Sequence, residues 1–139
     1  MSTSPTGSPM SQGGATQQPD FIEEPGDYIF NYTLTANQAV QRVPVNIDRD
    51  SDFLLTGING SSTGAYTLNF RLPSGRLFAS QQVNNANFVS TAPNQPTPVG
   101  PPPIYRAGST GPEMDLTDIS GASNTLQIVF TGIKRLRSK

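Results

Sequence analysis

Apolar and polar side chains alternate along several short segments of this chain, and this period of two predicts β-strands. Successive side chains of a strand point to opposite faces, so each alternating segment has one apolar face that can be buried. The clearest alternation lies in residues 28–36 and 66–72. No segment of ten or more residues has the 3.6-residue period of an amphipathic helix, so no long helix is predicted.

Two further strands are predicted between these segments. Residues 43–47 contain Pro44, which cannot donate a ladder hydrogen bond, so this strand is expected at a sheet edge or at a bulge. The apolar run 53–58 is followed by Asn59 and Gly60, a pair that favours a turn. We therefore expect the strand to end before Asn59.

A hairpin and two later strands complete the pattern. Strand 66–72 is followed by the turn residues 73–75 and by a second alternating segment, 76–83, which together predict a β-hairpin. Residues 114–119 alternate less regularly. Residues 125–133 are the most β-prone segment, and apolar side chains on both of its faces predict a strand that is buried on both sides.

About seven to nine short strands, separated by Gly, Pro, Asn and Ser, predict an all-β protein built as an antiparallel two-sheet sandwich. A jelly roll is the first choice, because the strands are numerous and the chain is long for an immunoglobulin-like domain. Residues 1–20 have no aromatic or branched aliphatic side chain and are predicted to form a flexible N-terminal arm. The sandwich is placed at 21–139, with an exposed loop at 91–103 in which six of thirteen residues are proline.

The chain carries little charge. Only 14% of its residues are charged and the net charge is −1, whereas about 25% of residues are charged in an ordinary soluble domain. Uncharged polar residues take their place, as in protein surfaces that pack against another protein. Because strand edges would otherwise remain without partners, we expect a homodimer.

Cysteine and histidine are both absent. Their absence removes thiol nucleophiles, the usual zinc sites and the Ser-His-Asp relay. We therefore predict a protein that is not an enzyme, and we assign no catalytic residue, no cofactor and no metal site. No basic region followed by an apolar run marks a secretory signal, and no stretch of 18 apolar residues predicts a membrane span.

Three aspartates occupy alternate positions in the segment DRDSD, as in the first half of a calcium loop; they are Asp48, Asp50 and Asp52. A calcium loop also needs glycine at its sixth position and glutamate at its twelfth, where this chain has Phe53 and Asn59. The favoured interpretation is a solvated turn between strands, with Arg49 offsetting the acidic charge.

Paired carboxylates are the remaining candidates for acid–base chemistry; they are Glu23 with Glu24, and Asp115 with Asp118. Any chain with ten acidic residues contains such pairs, so they do not indicate a site. Four basic residues lie within the last six positions, namely Lys134, Arg135, Arg137 and Lys139. For this basic tail, a protein contact or a solvated tail is favoured over nucleic acid.

The chain resembles the small cement, or decoration, proteins that tailed bacteriophages place on their icosahedral heads. The resemblance rests on the arm 1–20, the opening strand YIFNYTLTA (28–36), the hairpin YTLNFRLPSG (66–75) and the ending LQIVFTGIKR (126–135). It implies a jelly roll that lies on the capsid surface of the virion, is assembled in the bacterial cytoplasm and contacts the major capsid protein.

An attachment or carbohydrate-binding module on the same sandwich fold is the alternative function. Sugar-binding surfaces normally present exposed aromatic rings. Tryptophan is absent from this chain, and its tyrosines and phenylalanines lie mostly at positions predicted to face the core. The sequence therefore favours the capsid role over the sugar-binding role.

Overall fold

The computed structural model describes residues 21–88 and 97–137. The predicted arm, 1–20, lies outside the described residues, as do residues 91–96 of the predicted proline-rich loop and Lys139.

Nine strands and one short 3-10 helix, Asn85–Phe88, form in the described residues. In chain order the strands are β1 (Phe21–Leu34), β2 (Ala39–Val43), β3 (Ser51–Ser62), β4 (Tyr66–Phe70), β5 (Val83–Asn84), β6 (Thr97–Pro98), β7 (Ile104–Tyr105), β8 (Met114–Asp118) and β9 (Asn124–Arg137).

The strands form two antiparallel sheets that pack face to face, so the predicted all-β two-sheet sandwich is confirmed. The larger sheet has the order β1-β9-β3-β6, with β7 also paired to β3. The smaller sheet has the order β2-β8-β4-β5. Strands from the start of the chain pair with strands from its end, as β1 pairs with β9 and β2 with β8. The two halves of the chain therefore run antiparallel to each other through both sheets. This order is jelly-roll-like.

One apolar side-chain set from each sheet fills the space between them. Alternate residues of β9 point inward, and Leu126, Ile128 and Phe130 are completely buried. Inward residues of the other strands complete the core, namely Leu34, Phe53, Leu55, Ile58, Tyr66, Leu68, Phe70, Met114 and Leu116. These residues form one continuous core, and burying each such side chain contributes about 1.5–3 kcal/mol.

The prediction that residues 125–133 are buried on both faces is wrong. Val129 and Ile133 lie on the opposite side of β9 from the core and are only half-buried. The smaller sheet covers one face of the larger sheet, and no described element covers the other. The apolar residues on that second face are therefore part of the protein surface.

The predicted turn at Asn59 and Gly60 is also wrong, since both residues lie inside β3 and pair with β9. A bulge between Leu55 and Gly57 shifts the strand by one residue, so that the inward positions change from odd to even numbers and Ile58 reaches the core. Glycine is needed at position 60, because a Cβ there would lie 2.7 Å from the Tyr66 hydroxyl.

The second hairpin strand predicted at 76–83 forms only at its ends, as one bridge between Arg71 and Leu77 and as the two residues of β5. Between them, the buried side chain of Asn69 replaces the strand ladder. Its Oδ1 accepts the Ala79 N–H at 3.1 Å, and its Nδ2 donates to the Ala79 carbonyl at 2.9 Å. The Asn69 side-chain amide thus makes the hydrogen bonds that the backbone of a neighbouring strand would otherwise make.

The strand predicted at 43–47 does not form, because β2 ends at Val43 and residues 44–47 are not part of a strand. β2 is an edge strand with a register shift between Val40 and Val43. Beyond Pro44 the chain leaves the sheet, but Val45 and Ile47 stay buried. Their N–H groups donate to backbone carbonyls of the loop that precedes β8, at 3.1 and 3.0 Å.

Neighbouring residues of β9 provide a matched test of the two faces. We expect Phe130→Ala to lower the free energy of unfolding by about 3–5 kcal/mol, because it leaves a cavity where Phe130 packs edge-to-face on Phe70. Val129→Ala should cost about 1 kcal/mol or less, because its site is half solvated. Urea denaturation measures both, and equal losses would contradict the assignment of the faces.

Candidate functional site

One face of the larger sheet is not covered by the smaller sheet, and we call it the outer face. It consists of the outward residues of β1, β9, β3 and β7. Because these strands are in register, their outward side chains form rows across the sheet.

Two of these rows are apolar or nearly so. One row consists of Pro25, Ile133, Leu54 and Ile104, which are successive partners on four strands. In the second row Ile29 lies beside Val129 on the next strand, and the polar residue Asn59 on β3 ends the row. Ile29 is 61% exposed and Ile104 is 41% exposed, so both rows present apolar surface to solvent.

The end of the outer face nearest the β1–β2 turn is polar but uncharged. Asn31, Gln127 and Ser61 form one row there, and the Gln127 Nε2 donates to the Asn31 Oδ1 at 3.0 Å. Thr33 and Thr125 form the next row. Such amides and hydroxyls can exchange hydrogen bonds with a partner at little desolvation cost compared with charged groups.

Charged residues of the outer face lie mainly at its opposite end, in the row of Glu23, Arg135 and Asp52. The Arg135 Nε donates to the Glu23 Oε2 at 2.8 Å, and the Asp52 Oδ1 accepts the Ala107 N–H at 2.9 Å. Glu23 and Arg135 thus form an ion pair, and Asp52 is bonded to a backbone N–H. Apart from Asp27, the outer face between this row and the turn is uncharged.

Three of the four basic residues predicted to form a tail, Lys134, Arg135 and Arg137, lie in β9, which continues to Arg137. The Lys134 Nζ forms a 3.1 Å ion pair with Asp48 and lies 4.7 Å from the centre of the Tyr28 ring. The Asp48 hydrogen bond raises the pKa of Lys134, which keeps the amine protonated. Two of the four cations are thus engaged within the fold.

Arg49 and Asp50 of the DRDSD segment form a turn before β3, whereas Asp52 already lies in β3. Lys134, and not Arg49, pairs with the first aspartate, Asp48. Asp48 and Asp52 have separate partners, Lys134 and the backbone of Ala107. Within residues 21–88 and 97–137, no group of three or more acidic, histidine or cysteine side chains is arranged to hold a metal ion.

Neither carboxylate pair singled out from the sequence forms a site. Glu23 and Glu24 are adjacent in β1, so they lie on opposite faces of the strand. Asp115 and Asp118 lie three residues apart in β8 and also point to opposite faces. Asp115 binds Arg71 at 2.8 Å. Asp118 instead organises the turn between β8 and β9.

Asp118 is 2% exposed and accepts five hydrogen bonds. The Ser120 hydroxyl donates at 2.6 Å, the Asn37 N–H at 2.8 Å and the Asn124 side chain at 3.0 Å. The Ser120 hydroxyl bond, reinforced by the others, holds the pKa of Asp118 well below its ordinary value of 3.8. The carboxylate is therefore a structural anion that fixes the start of β9.

Aromatic side chains give little support to a sugar-binding surface. Among the exposed large hydrophobic residues in the described part of the chain, Phe78 is the single aromatic one. One face of its ring is stacked on Phe70, at 4.6 Å between centroids. Phe30 and Tyr32 stack on each other at 5.7 Å, on the core side of β1.

No protein-family model, curated protein or solved structure matches this chain. In the described part of the chain, no helix has the length and apolar character needed to span a membrane. The sequence pattern did not predict the outer face, because apolar residues such as Val129 and Ile133 indicated a strand buried on both sides. The sheet order shows that this second face is uncovered.

Acid titration tests the role of Asp118. Its carboxylate stabilises the fold above its ordinary pKa of 3.8, and this contribution is lost as the pH falls below that value. Asp118→Asn should lower the melting temperature at neutral pH by several degrees, because the amide cannot accept every hydrogen bond, and should flatten its dependence on pH below about 4.

Asp50→Asn is the matched control, because Asp50 is an exposed aspartate at a turn. It should leave the melting temperature at neutral pH close to that of the natural chain. Parallel pH profiles for the natural chain and Asp118→Asn would contradict the assigned role.

Proposed function

We propose that this chain is a viral structural protein, a cement protein that binds the outside of a tailed-phage head and stabilises contacts between major capsid protein subunits. Its place would be the capsid surface of the virion, after assembly in the bacterial cytoplasm. The observation that carries the proposal is the outer face, an exposed and largely uncharged sheet surface with two apolar rows.

The size of the outer face fits a docking role. Strands about 4.8 Å apart, with about 3.3 Å per residue, give the paired parts of β1, β9, β3 and β7 an area of roughly 600 Å². Each partner in a standard protein interface contributes about 800 Å². The outer face would therefore supply most of one interface, and neighbouring segments would add the remainder.

The composition of the outer face also favours a protein partner. Apolar rows such as Ile29 with Val129 gain free energy when they are covered, and the neighbouring row of Asn31, Gln127 and Ser61 can form hydrogen bonds to a partner backbone. A protein that binds assembled subunits but not separated ones stabilises the assembly by mass action. The described residues present no group of exposed aromatic rings of the kind that binds sugars, which disfavours the sugar-binding alternative.

Two exposed isoleucines provide a matched test of the proposed capsid contact. Ile29 on the outer face is 61% exposed, and Ile119 beyond the end of β8 is 48% exposed. If the outer face docks on the capsid, Ile29→Lys should lower occupancy on purified heads at least about tenfold, because a lysine would be buried without a partner. Ile119→Lys should bind as the natural chain does. Quantitative gel analysis against the major capsid protein measures occupancy.

The stabilising role is measured on the same particles. Heads that lack this protein should release their DNA at a lower temperature than complete heads, and adding the natural chain back should restore them. If complete and stripped heads resist heat equally, the cement role is wrong and the attachment alternative becomes the better hypothesis.

We also propose that the chain forms a homodimer through β1. This 14-residue strand is the edge of the larger sheet, and it pairs on one side only, with β9. Its acidic residues lie between Glu23 and Asp27, so residues 28–34 form a neutral stretch on which a second copy can pair without repulsion.

The absence of cysteine allows a direct test of the dimer. We expect sedimentation equilibrium to show a dimer, and Asn31→Cys, in the neutral stretch of β1, to form an intermolecular disulfide on mild oxidation. Gln127→Cys lies in the same row but on β9, one strand further from the edge, and should not cross-link. A monomer in sedimentation, or equal cross-linking of both variants, would contradict pairing through β1.

A further inference from the structure

A cleft of about 270 Å³ lies where the ends of β2 and β4 meet the start of β8 and the loop that follows β7. Three arginines line it, namely Arg42, Arg71 and Arg106, together with the carboxylate-bearing Glu113. The cleft borders the outer face, because Ile104 lines the cleft and also ends the row of Leu54 and Ile133. The proposed capsid contact does not explain the three arginines.

Arg71 forms a fixed wall of the cleft. Its guanidinium donates to the Asp115 Oδ1 at 2.8 Å, and the two side chains are 16% and 10% exposed. The buried Tyr105 hydroxyl donates to the Arg71 carbonyl at 2.8 Å, which also fixes the backbone. This part of the cleft is therefore organised before any ligand binds.

Arg42 is held in an uncommon backbone conformation beside it. Its φ is 54°, in the left-handed region that favours glycine, at the bulge of β2. Asp115 accepts the Arg42 N–H at 3.1 Å, and Glu113 accepts a hydrogen bond from the guanidinium at 3.1 Å. Bulges often redirect a side chain towards a binding site, and backbone strain concentrates at such sites.

Arg106 is the cation that the fold does not neutralise. It is exposed, and across residues 21–88 and 97–137 its side chain has neither an ion pair nor a hydrogen bond. Arg42 is paired with Glu113 and Arg71 with Asp115, so the charge of Arg106 is the excess positive charge at the cleft. The second pocket that Arg106 lines contains one acid and one base, Asp52 and Arg135, whose charges offset each other.

We propose that this cleft binds a carboxylate group, with Arg106 as its principal ion-pair partner and Arg42 as the second. A guanidinium matches the two oxygens of a carboxylate in geometry. One excess positive charge balances a monoanion, whereas a phosphate dianion would be repelled by Glu113 and Asp115. The cleft of about 270 Å³ has room for one acidic side chain or a small free acid.

The full-length chain labelled with ¹⁵N provides the test, because each arginine Nε–H group gives its own NMR signal. The probes are N-acetylglutamate amide, acetate, inorganic phosphate and the uncharged N-acetylglutamine amide. We expect the two carboxylates to shift the Arg106 and Arg42 signals in a saturable way, and the glutamine analogue to bind at least about tenfold more weakly.

The relative affinities of the two carboxylates distinguish their sources. Tighter binding of N-acetylglutamate amide than of acetate favours an acidic protein side chain, and equal binding favours a small free acid. Either result supports the site. Tighter binding of phosphate, equal binding of the glutamine analogue, or equal shifts at every exposed arginine would overturn it.

Arg106→Gln should weaken carboxylate binding about tenfold or more. Arg49→Gln, which removes an exposed arginine that does not line the cleft, should leave binding unchanged. Unchanged affinity in Arg106→Gln would overturn the proposal. If a variant folds poorly, the titration of the natural chain still tests carboxylate binding. None of these measurements depends on capsid binding.

Discussion

Strand β9 is paired on both sides, with β1 along its whole length and with β3 along most of it, and the rest of the sandwich depends on this double pairing. Its partners, residues 21–34 and 51–62, are far from 124–137 in the chain, so closing the sheet is costly in chain entropy. Once β9 is in place, Leu126, Ile128 and Phe130 enter the core and Val129 faces outward. A shift of one residue would exchange the two sets.

Polar contacts fix the residue at which β9 begins. Asn124, its first residue, is completely buried, donates to Asp118 and to the Ala65 carbonyl, and accepts the Gly64 N–H. Asp118 also accepts hydrogen bonds from two turns, from Asn37 between β1 and β2 and from Ser120 between β8 and β9. A hydrophobic sheet is thus set in register by a buried carboxylate and an amide, whose hydrogen bonds are directional in a way that apolar contacts are not.

The two proposed binding surfaces differ in their chemistry because they differ in their place in the fold. The outer face is formed by regular strands, so its side chains lie in rows and its charges are confined mainly to one end. The arginine cleft is formed where strands end, and there a bulge at Arg42 and the loop beyond β7 bring together cations from distant parts of the chain. The outer face therefore suits a broad contact without charge, and the arginine cleft suits a selective ionic contact.

The period-two pattern by itself determined the strands at 28–34 and 66–70, the absence of long helices and the two-sheet class, because strand alternation is a local property. It did not determine which apolar face is covered. Val129 and Ile133 have the same chemistry as core residues, and only the order β1-β9-β3 leaves them uncovered. The strand through Asn59 and Gly60, the side-chain ladder of Asn69 and the cleft around Arg106 likewise depend on residues distant in sequence. Turn propensity and alternation report on neighbours along the chain, whereas these features arise from neighbours in space.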